Sequence, residues 1–300
     1  MKQLLLKIQE MENPTVVGLD PVLSYIPKYI LKKHKREYGN TFKAAAMAIY
    51  EYNCGLIDEL SDIVPAIKPQ SAYYEMYGIE GIKAYYDTMT YAKRRGMYVI
   101  ADGKRNDIGA TSEAYATAYL GETDLFGDYT RAFMPDYLTV NPYLGTDGIL
   151  PFVKKCEEFD KGIFVLVKTS NPSSGEIQDL IADGEEIYVK VAKLVNKWGE
   201  STINDLGYSS VGAVVGATYP EQSKKLREIM PNTIFLVPGY GAQGGKAEDI
   251  KHLFDQDGLG AIVNSSRAIM TAYQKEGARE EDFAKYAVIE ALRMKEDLLS

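Results

Sequence analysis

A chain of 300 residues with 46% hydrophobic and 25% charged residues has an ordinary globular balance, which excludes disorder, collagen and coiled coil as the main architecture. That length fits one large α/β barrel or two ordinary domains. The net charge of −8, from 34 basic and 42 acidic residues, argues against a nucleic-acid partner but leaves room for a small phosphorylated ligand.

The N-terminal stretch Met1 to Met11 carries three leucines interrupted by Lys7 and Glu10. It reads as an amphipathic helix and not as a signal peptide. No apolar run approaches the roughly 20 residues of a membrane span, so no membrane partner is expected. Cys54 and Cys156 lie far apart and outside any metal-like spacing. A disulfide framework and a zinc ribbon are excluded, and two free thiols suit a reducing cytosol, so the expected location is cytoplasmic.

Short β-branched runs then alternate with helical patterns along the whole chain. Strands are expected at Thr15–Asp20, Ile63–Pro69, Tyr98–Lys104 and Tyr137–Tyr143, and again at Gly162–Ser170, Val211–Thr218, Thr233–Tyr240 and Gly260–Arg267. Their continuous apolar character suits a parallel sheet buried on both faces. Helices are expected at Thr41–Leu60, Ile79–Arg95, Thr111–Leu120 and Asp147–Lys155, then Glu185–Trp198, Pro220–Met230, Lys246–Phe254 and Glu281–Leu298. About eight βα units in this length predict one (β/α)8 barrel domain over residues 1–300. Longer connections fall near 21–40, 121–136 and 171–184. The first holds the basic cluster Lys32-Lys-His-Lys-Arg36, read as a solvated helix end. The first and third follow strand C-termini, where lids belong.

In such a barrel, polar residues at strand C-terminal ends face the site. Here those ends read Asp20, Lys68, Asp102 with Lys104, Asn141, Thr169-Ser170, Thr218, Pro238-Gly-Tyr-Gly241 and Asn264-Ser-Ser-Arg267. Two lysines and two aspartates at the tips of apolar strands are hard to explain by packing, because a buried charge is costly unless paired. The densest segment is Asp102-Gly-Lys-Arg-Asn-Asp107-Ile-Gly-Ala-Thr111. Strand alternation would put Asp102 and Lys104 on one face. An ammonium between two carboxylates, with Lys68 added, forms an alternating array that keeps Lys104 protonated as a proton donor. Thr111 is a good N-cap for the next helix.

The ends of the seventh and eighth strands form a second constellation. Gly239-Tyr-Gly-Ala-Gln-Gly-Gly245 and Arg267 suit a phosphate, through backbone N–H groups and a bidentate guanidinium. The spacing Gly239-x-Gly241-x-x-Gly244 also matches a dinucleotide fingerprint, but too little chain follows for the βαβ unit that motif should open. No metal site is visible, since His34 and His252 are the only histidines and neither is at a strand end.

The segment Asp102 to Thr111 resembles the D-x-K-x-x-D-I-G-x-T signature of orotidine 5′-phosphate decarboxylases. Gly18-Leu-Asp20-Pro, Ala66-Ile-Lys68-Pro-Gln, Val140-Asn-Pro-Tyr-Leu-Gly145, Lys168-Thr-Ser-Asn-Pro172, Val237 to Gly245 and Asn264-Ser-Ser-Arg267 are similar to the longer, type 2 branch of that family. The resemblance implies cofactor-free decarboxylation of orotidine 5′-phosphate to UMP, with Lys104 protonating C6 of the pyrimidine. It implies Asp102 beside the substrate carboxylate, and Lys68 and Asp107 completing the charged array. Asp107 and Thr111 would reach into the neighbouring subunit's site of a homodimer. Asp20 would bind the ribose, Ser170 the pyrimidine, with Thr169 as the alternative, and Gln243 and Arg267 the phosphate. A coupled phosphoribosyltransferase would have to be a separate chain.

Two other readings stand beside it. A metal-using sugar-phosphate lyase on the same barrel should offer an extra carboxylate where the second strand here ends in Lys68. A non-catalytic sugar-phosphate binding protein would have no use for a proton donor.

Overall fold

The computed structural model of the protein describes residues 1–241, 247–275 and 278–300. Eight parallel strands close into a barrel: β1 (Thr15–Leu19), β2 (Ala66–Pro69), β3 (Tyr98–Arg105), β4 (Tyr137–Val140), β5 (Gly162–Lys168), β6 (Val211–Val215), β7 (Phe235–Val237) and β8 (Ala261–Ser265). Each pairs with its sequence neighbour, and β1 closes the ring against β8, with Thr15 opposite Val263 and Val17 opposite Ser265. The expected (β/α)8 architecture is the one observed, and each expected strand overlaps an observed one, with β3 running one residue past its expected end at Lys104.

Alternation along the strands builds two cores. Val16, Ala66, Ile100, Tyr137, Phe164, Val214, Leu236 and Ile262, one from each strand, belong to the inner cluster. Their neighbours, such as Val17, Ile67, Val99 and Val165, pack outward against the helices. Helix α1 (Lys2–Met11) joins the inner cluster through Leu4, Leu5 and Ile8, with Met1 ahead of it. The spacing puts these side chains on one helical face, and that face plugs the barrel's N-terminal end. Only the opposite, C-terminal end stays open.

The outer ring holds α3 (Phe42–Leu60), α4 (Gly78–Arg94), α5 (Gly109–Leu120), α6 (Thr146–Phe159), α7 (Ile187–Gly199), α8 (Pro220–Ile229) and α9 (Phe283–Leu299). Before them, the expected connection 21–40 is itself helical over α2 (Lys28–Tyr38). Four basic side chains of the Lys32–Arg36 cluster face solvent, while Ile30 and His34 turn inward one turn apart. His34 pairs with Glu51 at 2.7 Å. The expected helix over 246–254 is replaced, in its described part, by two 3-10 turns, Ala247–Asp249 and Lys251–Leu253. Connection 121–136 folds as a hairpin of Thr123–Leu125 and Asp128–Thr130. Connection 171–184 holds a 3-10 turn, Pro172–Glu176, and the first strand of a small hairpin. Among the described residues no helix is long and apolar enough to cross a membrane.

Candidate active site

The site is built from the C-terminal end of β3 outward. Pairing with β4 runs Ile100 to Tyr137 and Ala101 to Leu138, then slips so that Arg105 faces Val140. The slip inserts extra residues at Asp102-Gly-Lys104, and Lys104 takes a left-handed φ of 45°. Regular alternation is therefore not what brings Asp102 and Lys104 together; a bulge at the strand end does. Thr139 of β4 locks the bulge. Its Oγ1 accepts the Lys104 N–H at 2.9 Å and donates to Asp102 Oδ1 at 2.8 Å.

Asp102 sits between two ammonium groups. Lys68, at the end of β2, donates to Oδ2 at 2.5 Å, and Lys104 to Oδ1 at 2.6 Å. Lys68 and Asp102 are both buried, whereas the Lys104 side chain is 43% exposed at the mouth. Burial alone would push the Asp102 carboxyl up, but Lys68 and Lys104 outweigh it and hold the group well below the usual carboxylate range. Burial likewise opposes the charge on Lys68, yet Asp102 and then Asp20 raise its pKa above the usual lysine value. One chain thus supplies Lys68, Asp102 and Lys104 in alternating order, and the second carboxylate expected beside Lys104, that of Asp107, is not in this cluster.

Asp107 and Thr111 stand apart from this cluster. The Asp107 carboxylate accepts the N–H of Ile108 at 2.8 Å, and neither residue lines the cleft of its own chain. Helix α5 starts at Gly109 after an Ile108 cap, so Thr111 lies inside the helix, exposed, and is not the expected N-cap.

The open end of the barrel forms one cleft with two lobes that share Lys68, Asp102 and Pro238. One lobe, about 390 Å³, adds Lys104, Thr139 and Ser170 over an apolar floor of Leu166, Val214 and Leu236. The other, about 490 Å³, adds Asp20, Tyr240, Asn264 and Arg267. Gly18 lets the ends of β1 and β8 meet: a Cβ there would fall 1.8 Å from Ser266 Oγ. In this second lobe Asp20 Oδ1 and Asn264 Oδ1 are buried without a hydrogen-bond partner among the described residues. The Arg267 guanidinium is exposed and has no partner among the described residues. A larger cavity of about 750 Å³ lies elsewhere, lined by Leu23, Leu31, Phe42 and Tyr77. Its only charged lining residue is Lys35, so it has no acid–base pair to offer chemistry.

The cleft therefore gathers Asp20, Lys68, Asp102, Lys104, Ser170 and Arg267, while Gln243 lies outside the described residues. Sequence reasoning missed Thr139 as a site residue. Its signal was parity: it shares the inward face of β4 with Tyr137 and is the one aliphatic hydroxyl in that run, nearer the strand's C-terminal end. Thr169 and Ser170 also separate. Thr169 Oγ1 is occupied by Asn171 at 2.6 Å and Gln178 at 2.8 Å, whereas the Ser170 hydroxyl has no partner among the described residues.

Comparison with known proteins meets this geometry. The family model described as "Orotidine 5'-phosphate decarboxylase / HUMPS family" matches residues 17–281. An orotidine 5′-phosphate decarboxylase of Caldicellulosiruptor bescii is 43% identical over 296 residues, covering 99% of this chain and 96% of the relative. One from Rhodopirellula baltica is 47% identical over 262 residues, covering 87% of this chain and 85% of the relative. The solved structure of Leishmania donovani OMP decarboxylase superposes with a TM-score of 0.70 at 28% identity, over 97% of this chain and 98% of that one. Because the matched span takes in every strand end from Asp20 to Arg267, the chain belongs to the orotidine 5′-phosphate decarboxylase / HUMPS family.

Proposed function

We propose that the cleft decarboxylates orotidine 5′-phosphate to UMP, with no metal or organic cofactor, and that Lys104 is the proton donor. The observation that carries this reading is the Lys68–Asp102–Lys104 array at the junction of the two lobes. Breaking the bond from C6 to the carboxylate leaves an electron pair on C6 as CO2 departs. That step needs a fixed cation beside the developing charge and a proton within reach. Lys104 Nζ supplies both: its proton moves to C6, the lysine becomes a neutral amine, and solvent restores the proton. The pairing with Asp102 keeps Lys104 in place and oriented beforehand. Asp102 beside the substrate carboxylate adds a repulsion that is relieved as CO2 leaves.

Substrate orientation follows from the unpartnered groups. Asp20 Oδ1 takes a ribose hydroxyl, and Arg267, together with Gln243, takes the phosphate. The free Ser170 hydroxyl takes the pyrimidine, leaving Thr169 to its own loop. Phosphate binding far from C6 holds the ring against Lys104, so remote binding energy acts on the reacting bond.

Asp107 and Thr111 complete the site of a second subunit in a homodimer. Two features support this: neither residue serves its own cleft, and Ile108, between them in the chain, exposes its apolar side chain.

The direct test is the fall in pyrimidine absorbance on adding orotidine 5′-phosphate in the presence of EDTA. Turnover is expected; abolition by the chelator would favour the metal-using lyase, and binding without turnover a non-catalytic protein. Site sharing is tested by mixing inactive Asp107→Ala and Lys104→Ala homodimers. In a two-fold symmetric dimer each heterodimer has one site with both changes and one with neither. Random exchange of equal amounts should restore roughly a quarter of wild-type activity. No recovery despite proven exchange places Asp107 in its own chain's chemistry.

A further inference from the structure

Lys168, at the end of β5, is fully buried, and the proposed chemistry does not use it. Strict alternation would turn it into the barrel with Phe164 and Leu166. Pairing with β6 instead slips between Leu166 and Lys168, opposite Val214 and Val215. The slip sends the side chain sideways, where its Nζ lies 4.6 Å from the Tyr219 ring centroid and 5.7 Å from that of Tyr188. There it donates to Asp179 Oδ1 at 2.7 Å and to Ser174 Oγ at 3.3 Å. Both acceptors belong to the segment that follows β5, which borders the lobe proposed for the base through Thr169, Ser170 and Asn171. The same segment is tied back beside Ser170: Gln178 Oε1 accepts the Thr169 N–H at 2.9 Å, and Gln178 Nε2 donates to Thr169 Oγ1.

Ser170 is thereby gripped. On its far side Gly216 leaves no slack, since a Cβ there would fall 2.9 Å from Ser170 Cβ. The Gly216 N–H donates to the Lys168 carbonyl at 2.8 Å, which joins the two strand ends. A lysine with no exposure is an expensive anchor, and breaking such a pair leaves an uncompensated buried charge. A leucine at this position would pack as well against two tyrosines but could not fix the loop's register to the strand.

We infer that Lys168 is a positioning residue for the base end of the cleft. Through Asp179 and Ser174 it locks the 171–179 segment and so holds Ser170 and Asn171 at the pyrimidine, without touching substrate. The inference rests on the proposed placement of the base against Ser170. Discrimination at the ring should depend on this latch, while phosphate and ribose recognition at Asp20 and Arg267 should not.

The experiment compares Lys168→Met, Asp179→Asn and Ser170→Ala, using kcat/KM on orotidine 5′-phosphate and the inhibition constant of ribose 5-phosphate, a probe with no base. Lys168→Met should lose at least about tenfold in kcat/KM with ribose 5-phosphate affinity unchanged within about twofold. Lys168→Arg should recover part of the loss. If Lys168→Met fails to fold, Asp179→Asn decides, because Asp179 lies on the partly exposed loop side. It should lose about three- to tenfold with the same selectivity. Adding Asp179→Asn to Ser170→Ala should cost no more than about a further twofold, since both act on one contact. The inference is overturned by unchanged kcat/KM in the folded variants, by equal weakening of ribose 5-phosphate, or by fully multiplicative losses in the double variant. If Ser170→Ala alone leaves kcat/KM intact, the base placement fails instead, and that result is separate from the fate of the Lys168 variants.

Discussion

The two ends of the cleft are prepared in opposite ways. At the reacting end the polar groups already have partners: Asp102 uses both oxygens, Lys68 and Lys104 are paired, and Thr139 bonds on both sides. At the other end, where the phosphate is proposed to bind, Asp20 Oδ1 and Asn264 Oδ1 are buried and unsatisfied among the described residues, and Arg267 reaches solvent without a partner there. Buried polar atoms are rarely left unpaired in a folded protein, so orphaned oxygens in a cleft mark groups that a ligand completes. The reacting end has the reverse logic. Groups that must meet developing charge are most effective when already oriented, since no reorganisation is then needed at the moment of reaction. On the proposed assignment binding is thus left open and chemistry is preassembled, in two lobes of one cleft that share Lys68, Asp102 and Pro238.

The largest expected effect breaks the preassembled end. Lys104→Ala should lower kcat by more than about a thousandfold, as expected when a proton donor and a local cation are lost together. The fold should survive, because Asp102 keeps Lys68 and Thr139 and the Lys104 side chain is partly exposed. Thermal melting should stay within a few degrees of wild type. Turnover within tenfold of wild type would remove Lys104 from the mechanism.

A smaller effect probes the open end. Arg267→Ala removes one charge-assisted contact, worth about 1.5–3 kcal/mol, or roughly ten- to a hundredfold in kcat/KM. The loss should appear with the nucleotide and nearly vanish with orotidine, which lacks the phosphate. Equal losses with both substrates would make Arg267 structural and would dissolve the contrast between the two ends.

Much of this was legible in the sequence because barrel strands carry their own punctuation. Each apolar run ends in a polar residue, and that alone located Asp20, Lys68, Asp102 and Arg267 at one mouth. Resemblance added the assignment of roles and the idea that Asp107 leaves its own site. What escaped was set by slips in register. The bulges at Lys104 and Lys168 depend on how β3 meets β4 and how β5 meets β6, and no local pattern records such a meeting. For the same reason Thr139 looked like an ordinary strand residue. Helix α2 was anticipated only as a solvated helix end, because its charged face dominates the local composition and only Ile30 and His34 turn inward. The cap at Thr111 failed for a different reason: the helix simply begins two residues earlier, at Gly109.

The smallest effect sharpens the comparison by separating orientation from charge at the reacting end. Thr139→Val keeps the side-chain shape but removes the hydroxyl that accepts the Lys104 N–H and donates to Asp102. An N–H left without its partner and a carboxylate missing one donor should cost about 1–2 kcal/mol of stability. The bulge that carries Lys104 would loosen, so kcat should fall about three- to tenfold with KM nearly unchanged, and Thr139→Ser should restore both. The ammonium groups are untouched, so Asp102 should remain strongly acidic. A carboxyl held below its ordinary value contributes stability that is complete above the unfolded pKa of about 3.9 and is lost as pH falls toward the lower folded value. Melting curves of Thr139→Val and wild type should therefore run parallel from pH 7 down through about pH 3, below the unfolded carboxylate pKa, offset by a constant amount. Curves that converge in acid would mean that the hydroxyl, and not Lys68 with Lys104, keeps Asp102 charged, and the reacting end would then owe its readiness to a hydrogen bond instead of to its two cations.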